Sequence, residues 1–172
     1  MALKTFPAEG WPSDCGWLVP GTNCTQLQYA ICLRAMKDVG ILETPLGSNR
    51  GKRIDGYAKR GGSPLGSWWC ALFVGAVFAD CGAMVPEGYP ATDNWLPFID
   101  DKPGIGAAIL YGLRKNGKPD AHHIGIIVRL DPMVLSVEGN RAFAGSSNNG
   151  VAVDLGPVLR TDILGYFHPR TA

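Results

Sequence analysis

Cys70 stands in the stretch GSWWCALFV, Gly66 to Val74, where two tryptophans precede a thiol and an apolar run at helical spacing follows it. A thiol in the first turn of a helix has two uses. It fills the core as a small hydrophobe, or the helix N-terminus favours its thiolate, the reactive form. The second use requires a base, and a partner that fixes the tautomer of that base. In AHHIGIIVRL, residues 121–130, strand alternation puts His123, Gly125 and Ile127 on one face and Ile124, Ile126 and Val128 on the other. Gly125 beside His123 leaves room for a helix to approach. His122 has the opposite parity and reads as an ordinary polar residue at the start of a strand.

The next strand ends in VEGN, residues 137–140. A hairpin around Asp131-Pro132 with a two- or four-residue loop sets Leu130 against Met133, Gly125 against Glu138 and His123 against Asn140. Both polar side chains then share the face of His123, with Asn140 directly opposite and Glu138 diagonal. A three-residue loop would turn every side chain over. Singly, each residue has a bland reading: a core cysteine, a polar strand end. Jointly, Cys70, His123, Glu138 and Asn140 supply a nucleophile, a base, and a carboxylate or amide to hold the ring.

These residues need a helix and a pair of strands to position them. Residues 1–24 are irregular, rich in Pro and Gly, and read as an arm on the domain. Thr25 and Gln28 form a capping box for a helix whose apolar positions recur until Gly40. The polar, Gly-rich segment 43–67 reads as a long functional loop. A second helix begins near Cys70, with residues 70, 73, 74, 77 and 81 on one face and Gly82 at its end. Ala71, Gly75 and Ala79 make a small-residue face where another element can come close. The second half divides into strands, AAILYG, HIGIIVRL, MVLSVEG, GVAVDL and ILGYF. Helices first and a meander of strands afterwards predict an α+β fold, N-terminal helices packed on a C-terminal antiparallel sheet.

Composition limits the function. The 172 residues carry a net charge of +1 with 46% hydrophobic residues, a globular chain with no basic patch for nucleic acid or an anionic membrane. No apolar run approaches the roughly 20 residues of a membrane span. The N-terminal MALKTFPAEGWPSDCGW has one Lys and no continuous apolar stretch, unlike a Sec-type signal peptide, so synthesis in a cytoplasm is expected. Of five cysteines, Cys15 and Cys24 would bridge in an oxidising environment, and the reduced state is the expectation here. Neither C-x-x-C nor zinc-finger spacing occurs, so no metal and no cofactor are expected.

The blocks GSNRGKRIDGYAKRGGSPLGSWWCALFV, HHIGIIV, VEGN and LGYFHP resemble the cysteine, histidine-dependent amidohydrolase/peptidase (CHAP) family, across about Glu43 to Pro169. The resemblance implies a papain-like catalytic domain over residues 25–172 that cuts amide bonds in bacterial peptidoglycan. By position, Cys70 matches the nucleophile, His123 the base, and Glu138 and Asn140 the third and fourth site residues. Two features depart from the family: KPGIGAAIL replaces its usual Gly-Asp, and the acidic calcium loop of some members is missing. Thioester chemistry on a stem-peptide bond (endopeptidase) or on the bond to the sugar (N-acetylmuramoyl-L-alanine amidase) follows. The Cys70 amide would be one oxyanion donor, with Tyr57 a candidate for the second, and segment 47–66 with Trp68, Trp69 and Trp95 would shape the groove; these aromatic residues read equally as core, and Trp69 more as core than as groove. The expected monomer would meet peptidoglycan in the periplasm or outside the cell. It would arrive by holin-type release or by injection, and an injected toxin would have an immunity protein as partner. The competing readings are a non-catalytic wall-binding module, a thiol acyltransferase, and a metalloprotein using Cys70, Cys81, His123 and His168.

Overall fold

A computed structural model describes residues 15–141 and 150–172. Helix α1, Gln26–Met36, starts at the expected capping box: Thr25 accepts from the Gln28 amide, and the Gln28 side chain accepts from the Thr25 amide. It stops earlier than the apolar spacing predicts, and Gly40, at φ 91°, belongs to the turn beyond it. Helix α2, Lys52–Arg60, occupies the segment expected to be loop. Its apolar residues Ile54, Tyr57 and Ala58 fall at i, i+3 and i+4 and are all buried. Gly51 and Gly61 bracket it, so the high glycine content of the segment marks the ends of a helix. Helix α3, Cys70–Asp80, is buried from Cys70 through Phe78, and Gly82 follows its C-terminus at φ 71°. The expected close approach occurs at Gly75, where an added Cβ would lie 2.1 Å from the Tyr89 ring. A 3-10 segment, Thr92–Phe98, leads towards the sheet.

The strands are β1 (Ala108–Lys115), β2 (Lys118–Arg129), β3 (Leu135–Arg141), β4 (Ala152–Pro157) and β5 (Ile163–Phe167). They form one antiparallel sheet in the order β4-β3-β2-β1-β5. The meander holds for four strands. β5 returns to the opposite edge, beside β1, because its residues 163–167 pair with Tyr111 back to Ala108. β1 and β2 run on past the expected strand ends to a two-residue turn at Asn116-Gly117, both at positive φ. Asn-Gly is the pair that such a hairpin turn requires. The main core lies between α3 and the sheet face of Leu110, Ile124, Ile126, Leu135 and Val137. The opposite face carries a smaller apolar cluster of Ile109, Tyr111 and Ile127.

Of the arm expected over residues 1–24, the described part, 15–24, lies on the domain. Trp17 donates its indole N–H to the Val128 carbonyl at 2.8 Å, and Cys15, Leu18 and Cys24 are buried. All five cysteines are free thiols. No helix among the described residues is long and apolar enough to cross a membrane.

Candidate active site

The β2–β3 register governs whether Glu138 and Asn140 share the face of His123. Ile127 pairs with Ser136 and Ile126 with Val137, the alignment expected for an even-numbered loop. The turn itself differs. Arg129 pairs with Leu135, and a register shift lies between that pair and Ile127. The loop is therefore odd, residues 130–134, and a bulge at Val128 restores the parity that the loop alone would have reversed. Ladder pairing between the two strands ends at Ile126 and Val137.

His123 is fully buried, and its Nε2 lies 2.9 Å from Glu138 Oε2. The other carboxylate oxygen, Oε1, accepts from the Tyr111 hydroxyl at 2.8 Å and from Ser136 Oγ at 2.5 Å. Arg141 Nε stands 3.8 Å from Oε2 and 3.8 Å from Asp154 Oδ2. The Tyr111 ring stacks on the imidazole, centroids 5.7 Å apart, and the Arg160 guanidinium lies over the Tyr111 ring, 4.5 Å from its centroid. Arg160 also binds Asp162 and His122. His122 thus belongs to a half-buried polar cluster, as the extra residue of β2 where the pairing shifts from Tyr111–His123 to Gly112–Ala121, and strand alternation is broken at its position.

Gly125 does not make room for a helix, as the sequence suggested. An added Cβ there would sit 2.4 Å from Glu138 Cγ, so the space belongs to the carboxylate. The close approach of α3 is at Gly139, whose Cβ would meet Phe73 Cβ at 2.8 Å and the Trp69 ring at 2.9 Å. There, past the last paired residues of β2 and β3, Cys70 comes beside the His123 ring. His123 Nδ1 is buried without an aligned hydrogen bond. The Cys70 thiol is close enough to stabilise the ring's protonated form, and such contacts commonly tighten only when substrate binds.

Burial alone would lower the pKa of His123. Contact with Cys70 and Glu138 outweighs it and raises the value to about 9. Glu138 is held at about 2: burial opposes ionisation, but His123, Arg141 and Ser136 stabilise the anion more strongly. Ionised Glu138 can only accept at Oε2. It therefore places the proton of neutral His123 on Nε2 and leaves the Nδ1 lone pair towards Cys70. That is the tautomer a general base needs.

Cys70 is the first residue of α3, and no side chain caps that end, so the first-turn amides are free of intrahelical partners. The preceding residue, Trp69, donates its indole N–H to the buried Glu43 carboxylate at 2.9 Å, anchoring the helix start. Tyr57 is not available as an oxyanion donor as placed here. Its hydroxyl donates to Asp38 at 2.5 Å, within a cluster that includes Arg34 and Arg53. Trp69 and Trp95 are core residues with no exposure, whereas Trp68 is 65% exposed.

Asn140 is buried in the left-handed region at φ 57°, its Oδ1 without a hydrogen bond. Neither nitrogen of His123 bonds to it. The structure thus brings Cys70, His123 and Glu138 together and leaves the Asn140 amide off the ring. Tyr111, Ser136, Arg160 and Glu43 escaped the sequence reading. Only Ser136 carried a signal, being two residues from Glu138 on the same face. Among the described residues no group of three or more His, Cys, Asp or Glu side chains is arranged to hold a metal ion.

No protein-family model matches the chain. No curated protein matches it either. A similar solved structure is a Staphylococcus aureus subsp. aureus Mu50 protein described as similar to lipoprotein, NLP/P60 family. It has a TM-score of 0.49 and 13% identity over 91% of this chain, which spans 46% of that protein's chain.

Proposed function

We propose that the chain is a thiol hydrolase of amide bonds in bacterial peptidoglycan, with a CHAP-like, papain-type catalytic domain. The observation that carries this reading is the buried His123, with Nε2 on Glu138 and Nδ1 unpaired on the side of Cys70. The wall substrate is supported by the resemblance of the four sequence blocks to that family.

In this mechanism His123 Nδ1 takes the proton of Cys70, and the thiolate attacks the amide carbonyl carbon. The oxyanion forms against the Cys70 backbone N–H at the uncapped start of α3. His123 then returns the proton to the departing amine as the C–N bond breaks. Water, deprotonated by the same ring, hydrolyses the thioester and restores the thiol. Glu138 keeps the ring in the reactive tautomer and offsets its charge when protonated, while Tyr111 and Ser136 hold Glu138. Asn140 has no assigned step. The protein acts on the wall after leaving the cytoplasm where it is made.

Digestion of purified peptidoglycan, followed by mass spectrometry of the soluble products, tests the reading. Wild type should release fragments with new amine and carboxyl ends. Cys70→Ala should release none while keeping the wild-type circular dichroism spectrum and Tm. Full activity in the folded Cys70→Ala protein would refute the assignment.

A further inference from the structure

We propose that Cys15 and Cys32 are a modification site, closing in an oxidising compartment to a disulfide that ties the N-terminal arm to α1. The proposal stands apart from the thiol-hydrolase reading above. It also replaces the pairing that the sequence suggested, Cys15 with Cys24.

The arm and α1 reach the same place on the sheet. Trp17 donates its indole N–H to the Val128 carbonyl at 2.8 Å, and Cys32 Sγ donates to the adjacent Ile127 carbonyl at 3.7 Å. A tight turn holds Cys15 beside Trp17, its carbonyl accepting from the Leu18 amide at 2.8 Å. The Cys15 side chain enters the core at 1% exposure, and Cys32 is fully buried in the same apolar cluster. The two thiols are in hydrogen-bonding contact. That contact, together with burial, pushes the Cys32 pKa well above the ordinary thiol range. Bridging removes the Cys32 S–H, but the Ile127 carbonyl also accepts from the Gly106 amide at 2.8 Å. No buried acceptor is left unpaired.

Cys24 is the third thiol of this cluster, and the helix sets it apart. It precedes the capping residue Thr25, and its carbonyl accepts from the Gly21 amide at 2.8 Å. From Thr25 to Cys32 the helix rises about 10 Å, beyond the roughly 7 Å that a disulfide spans between Cα atoms. Cys24 therefore does not reach Cys32. Its link to Cys15 is a charge effect alone, without the hydrogen bond that joins Cys15 to Cys32.

The oxidant is the disulfide of a small thiol or of a thiol–disulfide oxidoreductase. Before the arm docks, the Cys15 thiolate attacks one of its sulfurs, forming a mixed disulfide and releasing one thiolate. The Cys32 thiolate then attacks the Cys15 sulfur, the new S–S bond forms, and the second thiolate leaves. The two cysteines lose two protons and two electrons, and the oxidant's disulfide becomes two thiols. The closed bridge holds Trp17 against Val128, the bulge that turns Glu138 towards His123. In a reducing cytoplasm packing alone holds the arm.

Refolding the full chain from the reduced, unfolded state in a buffer of reduced and oxidised glutathione tests this. The intact mass should fall by two hydrogens. Chymotryptic cleavage after Trp17 and Tyr29 puts the three cysteines on separate peptides, and the Cys15 peptide should be joined to the Cys32 peptide. The bridged protein should melt roughly 6–12 °C above the reduced protein, from the loop entropy removed from the unfolded chain. Cys24→Ala should keep both the bridge and the gain in Tm, and Cys15→Ala should lose both. Should either variant fail to fold, the wild-type peptide map alone decides. Cys15 joined to Cys24 or to any other cysteine, glutathione adducts alone, an unchanged mass, or an unchanged Tm would each overturn the proposal. None of these readouts depends on wall hydrolysis.

Discussion

Glu138→Gln changes one atom and should reverse the histidine's protonation pattern. The carboxylate's Oε1 accepts from both Tyr111 and Ser136, while Oε2 faces His123 Nε2. A glutamine keeps both hydroxyl contacts by putting its amide oxygen in the Oε1 position. Its NH2 group then faces Nε2 and donates to it. The ring must accept there, so its proton moves to Nδ1, where it blocks uptake of the Cys70 proton. The equivalent carboxylate-to-amide change in serine triads costs about 10⁴-fold in kcat, roughly 5 kcal/mol of transition-state stabilisation. A loss of about that size is expected near neutral pH, with little change in KM. The assay is the rate of peptidoglycan solubilisation against pH, together with 15N resonances of His123 to report the tautomer. The variant should also lower the apparent histidine pKa from about 9, because the facing anion is gone. Activity within tenfold of wild type, with Nε2 still protonated, would refute the orienting role of Glu138.

The same pair predicts a stability window. Glu138 is depressed to about 2, so its contribution is present above the ordinary carboxylate range, near 4.5, and is lost as pH falls towards 2. His123 is raised to about 9, so its contribution is complete below about 6.5 and is lost as pH rises through 9. The Tm advantage of wild type over Glu138→Gln should therefore peak between roughly pH 4.5 and 6.5, and a flat difference from pH 2 to 10 would contradict the ion pair. Gly125→Ala sets a Cβ 2.4 Å from Glu138 Cγ. It should displace the carboxylate, cost about 1–3 kcal/mol in denaturant titration, and reduce turnover at least about tenfold. His123→Ala should abolish turnover, whereas His122→Ala, beside Arg160 and Asp162 and away from Glu138, should keep kcat/KM within about threefold. Turnover should persist in excess chelator and stop on thiol alkylation, and restoration of chelator-treated protein by zinc or calcium would exclude the metal-free mechanism.

What the sequence by itself determined is local. The apolar spacing after Cys70 placed the thiol at a helix start, and the Thr25–Gln28 capping box placed the start of α1. Alternation put His123 on one face with Gly125 and Ile127. Such patterns report where a side chain points relative to its own backbone, and that direction follows from residue type and period. Tertiary structure decided what each side chain meets. Whether Glu138 faces His123 at all depended on an odd loop and a compensating bulge at Val128, and a one-residue difference in either would have turned it to the other face. Tyr111, which stacks on His123 and binds Glu138 from 27 positions away, leaves no trace in a local period. Neither does the contact of Glu43 with Trp69 across 26 positions. The glycines of segment 43–67 masked α2, because its three buried residues, Ile54, Tyr57 and Ala58, gain their stability from the core they enter and little from helix propensity. β5 reached the far edge of the sheet for a related reason. Strand order is settled by which edge offers a partner and an apolar face, a property of the assembled sheet that no single strand carries.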